Sequence, residues 1–247
     1  MPNPQPADAI ALDPETLNQL SQVSTATVAT LLYKRGYHNA YVQGVAPLAR
    51  GKKSMVGPAF TLRYIPARPD TDPIEAFRER DHPQRVAVEQ CPEGAVLVMD
   101  CRQDASAASA GSILLTRLQV RGAQGVVTDG GVRDAEGAAA LDLPVFAAKP
   151  SAPTNLTKHH AVDIGLPIGC GGVAVYPGDI MLGDNDGVMV IPRHLADEIA
   201  AEAEPMEAFE KFVLEEVLNN VPIIGLYPPT DPDVLDRFER WKTSQPA

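Results

Sequence analysis

Apolar positions recur at helical spacing over residues 14–35, and Gly36 closes that stretch. Residues 56–64 (VGPAFTLRY) instead alternate with the period of a strand. Prolines and charges crowd residues 66–83, which read as a loop carrying a short helix around 74–80. A helix end over 85–90 leads into Pro92, and 94–100 (GAVLVMD) is an apolar run of buried-strand type. The pattern then becomes regular. A helix over 112–121 closes at Gly122, followed by a short strand at 125–128, a helix at 135–141 and a strand at 144–147. This alternation predicts parallel strands with right-handed crossovers, covered on both faces. Further on, apolar runs at 168–176 and 188–191 flank the turn sequences PGD and GDNDG, with Asp186-Gly187 as a hairpin signal. The sheet is therefore expected to end in antiparallel strands. Residues 194–219 read as a helical region interrupted at Pro205, 226–241 as a proline-broken tail with one short helix, and 1–13 as a loose arm. The class is α/β, taken as one domain over 1–247 with its core at about 20–200 and a C-terminal helical extension from about 201.

Composition narrows the function. A chain of 247 residues with 45% hydrophobic content can bury one sizeable core. Its net charge of −11 disfavours nucleic acid and anionic membrane as partners, while a local arginine can still hold a small anion. Three dispersed cysteines without a C-x-x-C argue against a zinc knuckle, a dithiol centre or a disulfide framework. The first ten residues lack the apolar core of a secretion signal, and no stretch reaches the roughly 18 apolar residues of a membrane span. A cytoplasmic location is expected.

Two segments carry candidate chemistry. Gly111-Ser112-Ile113-Leu114 opens a helix, where free N–H groups and the positive dipole end can receive a carboxylate or oxyanion; an ordinary glycine turn with Ser112 as cap is the competing reading. Thr128-Asp129-Gly130-Gly131-Val132-Arg133-Asp134 follows a buried strand and precedes a helix, the place where ligands sit in open α/β sheets. Arg133 offers a planar fork for a carboxylate, and Asp134 a hard oxygen for magnesium or manganese. His159, His160 and Asp163 are not read as a metal site, because sequence neighbours point to different faces. The acids of the GDNDG segment read as a hairpin turn, not a calcium loop. G-x-S-x-G, Walker, G-x-G-x-x-G and H-E-x-x-H motifs are missing, which removes support for serine-nucleophile and nucleotide-dependent readings.

GSIL, GVVTDGGVRD, the VYPGDIMLGDNDGVMVIP block and the early VGPAFTLRY resemble the RraA-like family, over roughly residues 20–215. That group includes 4-hydroxy-4-methyl-2-oxoglutarate/4-carboxy-4-hydroxy-2-oxoadipate aldolases. The resemblance implies a swivelling β/β/α fold in homotrimers or hexamers and a divalent-metal pyruvate aldolase with its cleft at a subunit interface. It implies that Asp134 holds magnesium, that Arg133 binds the pyruvyl moiety and its developing enolate, and that the N–H groups of Ser112, Ile113 and Leu114, after Gly111, cradle the same end. It also implies an acid from the helix after the VIP strand that reaches a neighbour's metal through water; Glu207 is the match, ahead of Glu204 and Glu202. The chain departs from the pattern at Ser112, where some members carry an acid, and at Val28-Ala29-Thr30-Leu31, where an aspartate usually precedes the Ala-Leu. The 66–83 segment and the IGLYPPT tail are also longer than in the compact aldolases.

The expected reaction is metal-assisted cleavage of a 4-hydroxy-2-oxo acid to pyruvate, with oxaloacetate decarboxylation through the same enolate. The motif has no lysine for a Schiff base. The alternatives are a non-catalytic regulator of another protein, the second known role in this family, and a metal-dependent hydratase or hydrolase of a sugar-derived 2-oxo acid.

Overall fold

The structure is a computed structural model and describes residues 12–52 and 54–244, so the arm expected at the N-terminus lies almost wholly outside the described residues. The first helical stretch is two helices, α1 (Pro14–Leu20) and α2 (Thr25–Lys34). Asp13 caps α1 by accepting from the Glu15 N–H, with Pro14 at the first turn. Ser24 is extended (ψ 154°), and its hydroxyl accepts from the Thr27 N–H, so a second helix starts where the spacing alone predicts continuation.

The strands are β1 (Ala46–Pro47), β2 (Met55–Pro66), β3 (Val96–Asp100), β4 (Ala108–Ala110), β5 (Gly125–Val132), β6 (Val145–Pro150), β7 (His159–Ile164), β8 (Ile168–Cys170), β9 (Val173–Val175), β10 (Ile180–Asp184) and β11 (Gly187–Ile191). Nine of them form one mixed sheet in the order β1-β6-β5-β3-β2-β10-β11, with β4 added on β5 and β7 on β2. The pairs β3–β5 and β5–β6 are parallel, as the strand–helix alternation predicts, β2 also runs parallel to β3, and β10–β11 is an antiparallel hairpin closing at Asp184↔Gly187. The twelve-residue β2 is the spine: its start pairs with β10, its middle with β3 and its end with β7. The expected mixed α/β architecture with a helical C-terminal extension is what forms.

Between the strands lie α3 (Pro83–Gln90), α4 (Ser112–Val120) and α5 (Ala135–Ala140), with a 3-10 turn at Ile74–Arg78. Helices α3 and α4, together with β2, β3 and β5, enclose one cluster around Leu97, Met99, Leu115 and Leu118. The C-terminal part corrects one expectation. α6 (Ala196–Leu218) runs unbroken through Pro205. An interior proline costs about 3 kcal/mol, but the helix buries Ile199, Ala200 and Ala203 before it and Phe212 and Val213 after it, so packing holds both halves in line. A separate aromatic cluster of Phe209, Phe212, Phe238 and Trp241 seats α7 (Val234–Ser244) on α6. No helix among the described residues is long and apolar enough to cross a membrane.

Candidate functional site

The segment after the core of β5 is the hinge of the site. β5 does not stop at Thr128 as expected but continues through Gly130-Gly131 to Val132, because β4 and β6 both extend the ladder there. Both glycines are required for space. A β-carbon on Gly130 would lie 2.6 Å from Cys101 Sγ, and one on Gly131 would lie 2.8 Å from the Ala107 carbonyl oxygen. The Arg133 N–H donates to the Ala110 carbonyl, tying the end of the segment to β4. Asp134 then stands at the N-cap of α5 in the left-handed region (φ 54°, ψ 43°), with no capping bond from its side chain. A non-glycine residue there costs about 1–3 kcal/mol, least for asparagine and aspartate, and persists where the surrounding structure over-determines the backbone.

The strained turn aims Asp134 at the start of α4. Its Oδ2 accepts from the Ser112 N–H and from the Ser112 hydroxyl, each at 3.3 Å, and Arg133 Nε lies 3.8 Å away. The capping residue of α4 is Gly111, with Ser112 the first helical residue, so the cap residue itself offers no side chain and the Ser112 N–H donates to Asp134 instead. The Ser112, Ile113 and Leu114 N–H groups precede the first helical bond, from Leu115 N to Gly111 O. Gly111 is glycine for proximity: its φ of −128° suits any residue, but a β-carbon would lie 2.9 Å from Asp134 Oδ2 and 3.0 Å from Arg133 Nε. Both side chains are about half exposed and free to swing aside. Gly111→Ala is therefore expected to leave the melting temperature within a few degrees of wild type while lowering activity about a hundredfold by misplacing the pair; thermal melts alongside steady-state rates check this.

These residues line a cleft of about 160 Å³, completed by Phe77, Gln84, Arg85, Thr154 and Asn155. It is smaller than the roughly 300–1,000 Å³ of pockets for drug-sized ligands and suits a small metabolite. Phe77, Gln84 and Arg85 were not singled out from the sequence. They belong to the proline-rich stretch and to α3, whose pattern reads as loop and solvated helix.

The two acids of the DGGVRD segment have different roles. Asp129 is buried, and its carboxylate accepts from the N–H groups of Cys101 (2.6 Å), Gln103 (3.1 Å) and Gly171 (3.0 Å). It anchors the loop after β3, where Arg102 and Gln103 are both left-handed (φ 58°), to the β8–β9 turn. Burial, with Asp100 nearby, raises its pKa despite those donors. Asp129 is thus a structural anchor and Asp134 the accessible carboxylate.

Glu207 does not line this cleft within one chain. Its Oε1 accepts from the Ser24 N–H at 2.8 Å at the start of α2. Burial acts to raise its pKa, but the hydrogen bonds of Ser24 and Thr27 and the charge of Lys211 hold it below the ordinary carboxylate range. Glu204 shares the shallow surface there, and Glu202 pairs with Arg35. His159, His160 and Asp163 fall on β7, which the weak alternation of HHAVDI conceals. They diverge as expected: His159 is buried, His160 Nδ1 meets Asp72 at 2.8 Å, and Asp163 pairs with Arg63. Among the described residues no three histidines, cysteines or acids converge as a metal cage.

The family profile described as "RraA-like: Aldolase/RraA" matches residues 22–190. A Halalkalibacterium halodurans protein named "Putative 4-hydroxy-4-methyl-2-oxoglutarate aldolase" is 33% identical over 57% of this chain and 67% of its own length. Protein DlpA of Legionella pneumophila is 26% identical over 75% of this chain, which spans only 29% of that larger protein. The crystal structure of Streptomyces coelicolor RraAS2, described as an unusual member of the RNase ES inhibitor RraA protein family, superposes with a TM-score of 0.72 at 29% identity, covering 81% of this chain and 96% of that one. With most of the chain matched by the profile, including every residue of the Gly111–Asp134 site, the protein is a member of the RraA-like family.

Proposed function

We propose that the cleft is the active site of a divalent-metal-dependent aldolase that cleaves a 4-hydroxy-2-oxo acid to pyruvate, with oxaloacetate decarboxylation as a side activity. The observation that carries this reading is the strained, uncapped Asp134, facing Arg133 and the open N-terminus of α4 in one cleft. The names of relatives support the same chemistry at family level. A lone accessible carboxylate with loose hydrogen bonds fits magnesium, which keeps several waters and takes one or two protein oxygens, better than zinc, which takes three or four protein ligands rich in histidine and cysteine. Asp134 would hold the ion, which when bound supplies a Lewis acid to the 2-oxo acid end.

The chain's own groups account for the rest. Arg133 binds the pyruvyl end through its planar fork. As a water takes the proton of the C4 hydroxyl, C4 becomes a carbonyl, the electron pair of the breaking C3–C4 bond passes into the enolate and negative charge grows on the C2 oxygen, until a proton returned to C3 gives pyruvate. Arg133 and the N–H groups of Ile113 and Leu114, joined by that of Ser112 once Asp134 turns to the ion, would stabilise that charge. Glu207 serves this cleft from a second copy of the chain, since within its own copy it sits at α2. Light scattering is expected to give a multiple of three subunits; a stable monomer at micromolar concentration would contradict the shared site.

The direct test is magnesium-dependent pyruvate release across a panel of 4-hydroxy-2-oxo acids and oxaloacetate. Asp134→Ala is expected to abolish activation by magnesium without lowering the melting temperature. Near-normal activity in that variant sinks the assignment. Failure of every substrate with the wild type leaves the regulator reading, which the Streptomyces protein's description supports and which does not need the Arg133–Asp134 pair. Product analysis on sugar-derived 2-oxo acids separates an aldolase from a hydratase or hydrolase.

A further inference from the structure

We propose that Asp72 and His160 are positioning residues for the cleft: their contact latches the proline-rich strap over residues 67–81, which supplies Phe77 to the cleft lining, and so sets how tightly substrate is held. The proposal rests on the reading of the cleft as the active site.

The strap contributes to the cleft but is little attached to the body of the protein. Phe77 lines the cleft, and its ring centre lies 4.4 Å from the guanidinium carbon of Arg85, a second lining residue, on α3. The ring therefore helps to place Arg85 as well. Yet within residues 67–81 only Asp72 and Ala76 are buried, and none joins the apolar cluster around Leu97. Most of the strap's hydrogen bonds close on itself, such as Asp72 N to Arg68 O and Ala76 N to Pro73 O. Among the described residues, two leave the segment and its flanking residues. At its start the Ala67 N–H donates to the Lys158 carbonyl at 3.1 Å, and near its middle His160 Nδ1 meets Asp72 Oδ1 at 2.8 Å. A segment with so few buried apolar contacts sits at the low end of local stability, so one bond can decide where it rests.

The chemistry of Asp72 suits a latch. Its Oδ2 accepts from the Arg68 N–H at 2.9 Å and the Thr71 hydroxyl at 2.7 Å, which folds the strap's turn around the carboxylate and leaves Oδ1 for β7. Burial acts to raise its pKa, but these donors and His160 hold it below the ordinary carboxylate range. An ionised carboxylate can only accept, so His160 Nδ1 donates. His160 itself is fixed by the β2–β7 pairing, opposite Ile65, so the latch ties the strap to the sheet.

The test measures hydrogen exchange, steady-state constants on oxaloacetate and calorimetric binding of pyruvate with magnesium in wild type, His160→Ala, His160→Asn and Phe77→Ala. His160→Ala is expected to speed exchange over residues 67–81 about tenfold, the effect of one partly exposed hydrogen bond to a charged group, with β3 and β5 unchanged. It is expected to raise the Michaelis constant about three- to tenfold with turnover little changed, and to weaken pyruvate binding to match. His160→Asn, whose amide nitrogen stands near the Nδ1 position, is expected to restore part of each. Because the latch acts through Phe77, adding His160→Ala to Phe77→Ala is expected to raise the Michaelis constant no further. Additive effects, or unchanged exchange, overturn the proposal. If the wild type turns over no substrate but binds pyruvate, and His160→Ala weakens that binding, the latch stands and the aldolase reading falls. If pyruvate forms and His160→Ala leaves the Michaelis constant unmoved, the aldolase reading stands and the latch falls.

Discussion

Arg133→Ala is expected to lower turnover on oxaloacetate by about a hundred- to a thousandfold, the usual cost of one donor at a site of growing negative charge. The guanidinium stands beside Asp134, the only carboxylate lining the cleft among the described residues, and near the start of α4, so the proposed substrate's charged end would lie between them. A group that binds substrate and transition state equally well changes the Michaelis constant alone, whereas one that strengthens as charge develops changes turnover. Arg133→Lys keeps the charge but loses the fork, and should recover only part of the loss. Steady-state constants for the three proteins decide the matter. An effect confined to the Michaelis constant makes Arg133 a binding residue, and unchanged constants remove the catalytic role of the whole turn.

The parts of the fold legible in the sequence are those with no competing solution. The apolar runs of β3, β5 and β6, punctuated by Gly94, Gly122 and Pro144, admit only buried parallel strands. Where the periodicity failed, tertiary contacts had decided. The helical spacing of residues 14–35 continues across Ser21–Ser24, but Ser24 caps a new helix and Asp184, from the far hairpin, accepts from both the N–H and the hydroxyl of Thr25. Pro205 reads as a break and is carried through by the packing on either side of it. The site divides in the same way. Gly111, Arg133 and Asp134 lie on one glycine-marked strand-to-helix path, and their juxtaposition follows from the βαβ order. Arg85 carries no such mark: a charged residue on an amphipathic helix reads as solvated until the fold lays α3 against the cleft. The sequence marks Asp134 as the ligand but gives Asp129 no role; what separates them in the fold is that the backbone surrounds Asp129 and leaves Asp134 open.

That difference sets the largest expected effect on stability. Asp129→Ala removes the acceptor for three backbone N–H groups, those of Cys101, Gln103 and Gly171. Each buried donor left without a partner costs about 1–3 kcal/mol, so with partial relaxation the loss is roughly 3–5 kcal/mol. That is a large share of the ~5–15 kcal/mol that holds a domain together. Asp129→Asn keeps one carbonyl oxygen in place and sheds the buried charge, and should lose only about 1–2 kcal/mol. The pH dependence separates charge from hydrogen bonding. Burial raises the folded-state pKa of Asp129 above its unfolded value, so the folded protein binds this proton more tightly. Its contribution is complete below the unfolded carboxyl value of about 3.9 and is lost as pH rises through the folded value. The wild type should therefore gain stability relative to Asp129→Asn as the solution is acidified from neutrality. Urea unfolding of wild type, Asp129→Asn and Asp129→Ala at a series of pH values measures all three terms. A gap between wild type and Asp129→Asn that shrinks on acidification would mean that the three N–H groups outweigh burial and hold Asp129 ionised. An alanine variant as stable as wild type would show that the loop after β3 does not depend on this carboxylate.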